Sequence, residues 1–289
     1  MIAVDRLQAL LQCPDCGGSM TFAVPLESSC DACGFRGGPR DFMPRRPRPA
    51  VLHLQKQVDL DARFKSIRFG VPELTYDGPR PPRECRDVLS VLDKSGSATP
   101  RNLALDIGCG DGGTAAPLES LGFEWVGIDF PGEGPTLFAD AHALPFRNGS
   151  FDLVFSLVML EHVQNPFIVA AEAARVLKPG GLCVGVVAFG EPFHDSFLHA
   201  SAWGIVSILS SADLGVERLW SCRDTLLALA DMGGYPAIVR WLLRGVASFS
   251  RFPPLSPRRW LRGGATSQDL LITSGSIAFS ARKAEEASA

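Results

Sequence analysis

Four cysteines fall into two C-x-x-C pairs, Cys13/Cys16 and Cys30/Cys33, thirteen residues apart, with Gly17, Gly18 and Gly34 directly behind them. Two residues between thiolates let one turn present both sulfurs to a single tetrahedral ion, and small residues behind each pair let backbone amides approach the sulfurs. The other cysteines, Cys85, Cys109, Cys183 and Cys222, are scattered. A redox dithiol is the alternative, but such motifs come as one C-x-x-C leading a helix. The pairs therefore predict a structural zinc ion held by Cys13, Cys16, Cys30 and Cys33. Four thiolates leave no open coordination position, so no catalysis is expected there.

A second set of residues points to a nucleotide-like ligand. LALDIGCGDGG (103–113) is an apolar strand ending in Asp106 and followed by a glycine-rich turn, and Asp129 ends another apolar run nineteen residues after Gly110. Glycines let backbone lie close to a cofactor, and a carboxylate at a strand end can accept both hydroxyls of a ribose. Gly108, Gly110 and Gly113 also satisfy a dinucleotide fingerprint, so these two elements alone do not separate the cofactors. The third element does: FADAHALPFRNGSFDLVFSLVMLEHV (138–163) has an acid at a strand end, a Leu-Pro-Phe turn, and a Phe-Asp-led strand running into Leu-Glu-His-Val.

With RVLKPGGLCVGVV (175–187) and the terminal SGSIAFSARK (274–283), the stretch 101–190 resembles the class I S-adenosylmethionine-dependent methyltransferases, type 11 group. The resemblance implies an α/β fold: a Rossmann-like, seven-stranded, mostly parallel sheet whose last strand is inserted antiparallel. It also implies an enzyme that needs no metal to activate the methyl group. Carried over residue by residue, Asp106, Gly108 and Gly110 border the methionine part of the cofactor, Asp129 the ribose, and Asp140 with the backbone of Ala141 the adenine. Leu157 lies at the end of the fourth strand. Some ubiquinone-pathway relatives hold a divalent metal with a similar Glu-His pair and an acid three residues earlier. Here the pair is Glu161-His162 and the earlier position is Val158, against metal binding.

The methyl acceptor is read from the loops behind the fourth and fifth strands. AFGEPFHDSFLHASAWG (188–204) sets His194, Asp195 and His199 among Phe189, Phe193, Phe197 and Trp203, a polar group in an aromatic frame that suits a small-molecule pocket. A structural loop with packed aromatics is the alternative for each residue. A hydroxyl acceptor needs a base near neutral pH, which makes His162, His194 and His199 the catalytic candidates and a small molecule or glycan the expected substrate. The alternative is RNA, because a zinc ribbon ahead of this core also resembles the bacterial 23S ribosomal RNA guanine-N1 methyltransferases. Against it stand an acidic chain and the lack of stacking aromatics in the ribbon. A non-enzymatic scaffold would need a damaged cofactor motif, and none is visible.

The elements that must position these groups follow from composition and punctuation. With 289 residues and 46% hydrophobic content the chain can bury a full α/β core plus a small module. We place a zinc ribbon at 1–42, a linker with N-terminal helices at 43–100, the cofactor-binding core at 101–190, a substrate-binding and lid region with the sixth strand at 191–273, and the last strand and tail at 274–289. Pro- and Arg-rich MPRRPRPAVL (43–52) reads as extended linker. The net charge of −3 hides two basic stretches: 36–68 holds nine Lys/Arg against three Asp/Glu, and 240–262 holds six Arg and no acid. Solvated surface is the simple reading; anionic partners stay open. The apolar segment 224–252 is read as a helical lid, with a dimer face or peripheral membrane contact as alternatives. No apolar stretch of about 20 residues and no leader-like N-terminus is evident, which predicts a cytoplasmic protein. Oligomeric state has no signal in the sequence.

Overall fold

The computed structural model describes residues 2–23, 27–38, 40–45, 59–80, 86–94, 102–190, 195–231, 235–251, 271 and 274–285. Most of the linker at 43–52, together with Cys85, Phe193, His194 and the tail from 286, lies outside the described residues. The elements are α1 Val4–Leu10, β1 Thr21–Ala23, β2 Glu27–Ser29, β3 Arg36–Gly37, α2 Leu60–Ser66, β4 Arg68–Phe69, α3 Arg86–Lys94, β5 Asn102–Ile107, α4 Ala115–Ser120 and β6 Phe123–Asp129. They continue with β7 Leu137–Phe138, β8 Phe151–Leu157, α5 Pro166–Val176, β9 Leu177–Ala188, α6 Ala202–Ser211, β10 Leu214–Asp224, α7 Thr225–Asp231, α8 Ala237–Arg251 and β11 Ser274–Lys283.

The main sheet has the order β4-β10-β11-β9-β8-β5-β6-β7. β5 to β9 run parallel, and β11 is antiparallel to both β9 and β10. This is the expected sheet with one strand added. The eighth, β4, pairs Arg68 with Arg218 and Phe69 with Leu219 at the free edge, and two residues carry no periodicity from which it could be foreseen. The strands are buried on both faces because helices cover both. Along β8, Phe151 and Val154 join a cluster with Leu7 of α1, Val169 and Ala173 of α5, and Ile205 and Leu209 of α6. Leu153 and Phe155 point the other way, to Val88, Leu89 and Leu92 of α3 and Leu118 of α4, the alternation of a strand between two helix layers, with Phe151 set on the Val154 side by the register shift between Phe151 and Leu153.

Two connections are irregular for a parallel sheet. The Lys-Pro-Gly-Gly turn is absorbed into β9, which begins at Leu177; the register to β8 jumps from Phe151–Leu177 to Leu153–Leu182. Between β6 and β7 no helix intervenes: residues 130–136 arch back directly to pair Ile128 with Leu137 and Asp129 with Phe138. Parallel strands ordinarily need a crossover of about a dozen residues or more.

The N-terminal module is a three-stranded antiparallel sheet, β1-β2-β3, fastened to the edge strand β7. Phe42 N donates to Phe138 O at 2.8 Å and Phe138 N to Arg40 O at 2.6 Å, while Leu11 bridges Phe146. Leu11 and Phe42 are fully buried in the main core, each contributing about 1.5–3 kcal/mol by burial.

Candidate cofactor site and cysteine cluster

The carboxyl ends of the parallel strands converge where the strand order reverses, between β5 and β8, the place where open α/β sheets bind ligands. Asp106, in β5, is buried; Oδ2 accepts hydrogen bonds from the Thr114 hydroxyl and from Trp125 Nε1, the latter at 3.3 Å. Desolvation pushes this carboxyl up to about 6, and the bonds from Thr114 and Trp125 pull it only part of the way back. Thr114 and Trp125 were not legible as site residues, because neither belongs to the glycine-rich motif.

Above Asp106 the chain turns through Gly108 at φ 76°. A Cβ there would stand 2.3 Å from Met159 Cγ, so both backbone conformation and packing demand glycine. Gly110 N donates to Asp129 Oδ2 at 2.8 Å and Phe130 N to Oδ1 at 2.7 Å. The half-buried Asp129 is thus oriented by backbone, with lone pairs left on each oxygen for further donors. Phe130, beside it, is 64% exposed. The arch 130–136 closes on the glycine loop so tightly that a Cβ on Gly134 would meet Gly110 O at 2.3 Å.

Asp140 follows β7. Oδ1 accepts from His142 N at 2.8 Å and from His142 Nδ1 at 2.7 Å, which holds the carboxyl below its ordinary range. Asn165 N donates to His142 Nε2 at 3.2 Å, so the ring bridges Asp140 and the start of α5. Ala141 begins the turn behind Asp140, and Leu157 ends β8, half-buried. Next to it Val158 takes φ 50°, a strained conformation for a β-branched residue.

The histidines separate. His162 is exposed, its Nδ1 donating to Asp195 O. His199 has Nδ1 on Phe189 O at 3.2 Å and Nε2 on Ser196 Oγ at 3.1 Å, contacts that fold the loop. His194 lies outside the described residues. Glu161 is turned inward and fully buried, its Oε1 accepting from Ala188 N at 3.2 Å. Trp203, expected in the aromatic frame of a pocket, stacks on Phe64 of α2 with centroids 4.4 Å apart, because its position in the first turn of α6 faces that helix.

Cys13, Cys16, Cys30 and Cys33 come together with their sulfurs all within 4.8 Å of one another. Cys13 and Cys33 sulfurs are 3.5 Å apart and those of Cys16 and Cys30 3.7 Å. A tetrahedron with metal–sulfur bonds of about 2.3 Å separates its sulfurs by about 3.8 Å, so the donor set fits zinc. Each pair closes the same turn, Gly17 N to Cys13 O and Gly34 N to Cys30 O, both at 2.8 Å.

Residues 105–185 match the family described as methyltransferase domain. The stretch is similar to a methyltransferase domain. The chain is 35% identical to an uncharacterized methyltransferase of Mycolicibacterium gilvum over 34% of this chain and 46% of that protein. To an uncharacterized transposon protein of Streptomyces fradiae it is 37% identical over 38% of this chain and 36% of that one. A ubiquinone biosynthesis O-methyltransferase of Nitrosococcus oceani is 38% identical over 27% of this chain and 39% of its own. The chain thus spans between about a third and a half of the length of these relatives.

Proposed function

We propose that the methyltransferase domain binds S-adenosylmethionine and transfers its methyl group to a hydroxyl of a small-molecule or glycan acceptor. The observation that carries this is the row of Asp106, Asp129 and Asp140 at the carboxyl ends of β5, β6 and β7. A cofactor with an ammonium, a ribose diol and an adenine amine presents donors in the same sequence, and the exposed Phe130 ring offers an apolar face beside them. When bound, the cofactor supplies a methyl group on a positively charged sulfur, which leaves as a neutral thioether.

Asp129, pre-oriented by Gly110 and Phe130 amides, grips the ribose hydroxyls. His162 takes the acceptor's hydroxyl proton as the oxygen–methyl bond forms; His194 and His199 are the other candidate bases, with His199 committed more to shaping the loop. Correct in-line placement supplies most of the rate, up to about 7–11 kcal/mol. Zinc at Cys13, Cys16, Cys30 and Cys33 is a structural ion in this reading.

Calorimetric titration of the full chain tests it: Asp129→Ala should weaken S-adenosylmethionine binding by about 1.5–3 kcal/mol with folding intact. Unchanged affinity would put the cofactor elsewhere. Histidine-to-alanine variants at 162, 194 and 199, assayed with the acceptor at saturating cofactor, test the base, which is worth about 10²–10⁴ in rate. If all three keep wild-type turnover, base catalysis is excluded, and an already nucleophilic nitrogen, as in RNA guanine, becomes the better acceptor.

A further inference from the structure

Arg40, in the stretch that leaves the cysteine module, takes φ 66°, a left-handed conformation that strains an arginine and suits a glycine. Such strain persists where surrounding contacts hold the residue in place. Here the side chain makes contacts as well as the main chain. Arg40 Nε donates to Thr136 O at 3.2 Å, and the guanidinium lies over the Phe138 ring, 4.8 Å from its centroid. Arg40 O accepts from Phe138 N. The residue is half-buried, so these contacts are partly shielded from water, which strengthens them.

What Arg40 grips leads straight to the cofactor site. Thr136 ends the arch 130–136, and Phe138 stands in β7, two residues before Asp140. Thr136 N donates to Gly127 O at 2.8 Å and Gly127 N to Thr136 Oγ1 at 3.2 Å, while Ala139 N donates to the main-chain oxygen of Asp129 at 3.1 Å. The arch has no crossover helix to pack it against the sheet, and a guanidinium holds its far end instead. On the other side, the stretch is tied to the cysteine turns. Arg45 N donates to Oδ1 of Asp15, which lies between Cys13 and Cys16, at 2.6 Å. The Arg45 guanidinium bonds Asp41 Oδ2 at 2.6 Å and lies 5.6 Å from the Phe35 ring centroid.

We infer that Arg40 is a positioning residue for the cofactor site, bracing the arch and β7 so that Asp129 and Asp140 keep a fixed spacing. The inference rests on the proposal that these two acids meet the ribose and the adenine. Were Arg40 only a point of attachment for the module, its main-chain bond would suffice and the side chain would be dispensable. Glycine at position 40 separates the two roles, because it fits φ 66°, keeps the oxygen that Phe138 N bonds, and removes only the guanidinium. The brace touches the ribose and adenine side and leaves the surroundings of Asp106 alone, so its loss falls on the nucleoside part of the ligand.

The test is calorimetric titration of the full chain with S-adenosylmethionine and with adenosine, beside hydrogen exchange of the ligand-free protein. Arg40→Gly should weaken both ligands by the same factor, about tenfold, the worth of one charged hydrogen bond with a cation–π contact. The amides of Thr136, Phe138 and Ala139 should exchange about tenfold faster in that variant, with those of α5 and α6 unchanged. Arg40→Lys, which still carries a cation to Thr136 O and the Phe138 ring, should recover most of both effects. Unchanged affinities, a loss confined to S-adenosylmethionine, or an Arg40→Lys variant no better than Arg40→Gly would overturn the inference. So would unchanged exchange in the arch, or a lowered melting temperature with both affinities kept, which would make Arg40 a structural tie. Wild-type protein that binds neither ligand would overturn the cofactor reading itself, an outcome the exchange measurement keeps apart because it needs no ligand.

Discussion

Burial of Asp106 places a charge where water cannot reach it, and the hydrogen bonds from Thr114 and Trp125 offset that cost only in part, so its pKa stands near 6 against an ordinary 3.8. A raised folded-state value means that stability is fully present below pH 4 and is lost as pH rises through about 6. The window is set by those two values and the size by about 1.4 kcal/mol per unit, giving about 3 kcal/mol. Asp106→Asn keeps an oxygen for both donors and removes the titration. In urea denaturation of the cofactor-free protein, the variant's stability relative to wild type should therefore rise by about that much between pH 4 and pH 7.5. A difference independent of pH would mean that Asp106 is as well solvated folded as unfolded. The same variant should bind the cofactor more weakly, because an ammonium partner gains from the carboxylate's charge.

At the scale of elements, the cysteine module shows why a fold too small for its own apolar core needs another constraint. Cys13, Cys30 and Phe35 form its own apolar cluster, with Met20 and Cys33 packed against them, far short of what ordering three short strands costs. Burial pushes the Cys13 thiol up to about 12, so bringing four sulfurs together as thiolates requires a cation. Metal analysis of protein purified under reducing conditions should give one zinc per chain. A content near zero that does not rise when zinc is added would remove the ion from the module. The arch 130–136 makes a complementary point: without a crossover helix it lies on the glycine loop itself, and Gly134 is the residue that lets it.

At the scale of the whole molecule, the module and the main-sheet domain share one core. Ile2, Leu7, Leu11 and Phe42 pack with strand and helix residues of the sheet, and main-chain bonds join Phe42 to Phe138, Gln12 to Pro145 and Arg147 to Leu10. An exposed edge strand is thereby covered. Removing the metal with a chelator should accordingly lower the melting temperature of the entire chain in one transition, read by circular dichroism and by cofactor binding together. A ribbon that melted alone, leaving cofactor affinity unchanged, would show the two to be uncoupled.

The cysteine pairs, the three strand-end acids and the glycine loop were legible in the sequence, because metal ligation and close backbone approach restrict residue type at short spacing; the antiparallel direction of the final strand followed from the family resemblance. Residues 274–283 were read as a strand and form β11 over that range. Partnerships set by distance in space were not legible. Trp125 reaching Asp106, Met159 closing on Gly108, Trp203 stacking on Phe64, Glu161 buried under Ala188, and β4 completing the sheet edge all join segments whose sequence separation says nothing of contact. The direction of α8 belongs to the same class. Its period shows that one face is apolar and one basic, but whether the apolar face meets the protein or the solvent depends on what α7 offers: the Ala230 carbonyl holds Arg240 and Asp231 holds Arg244.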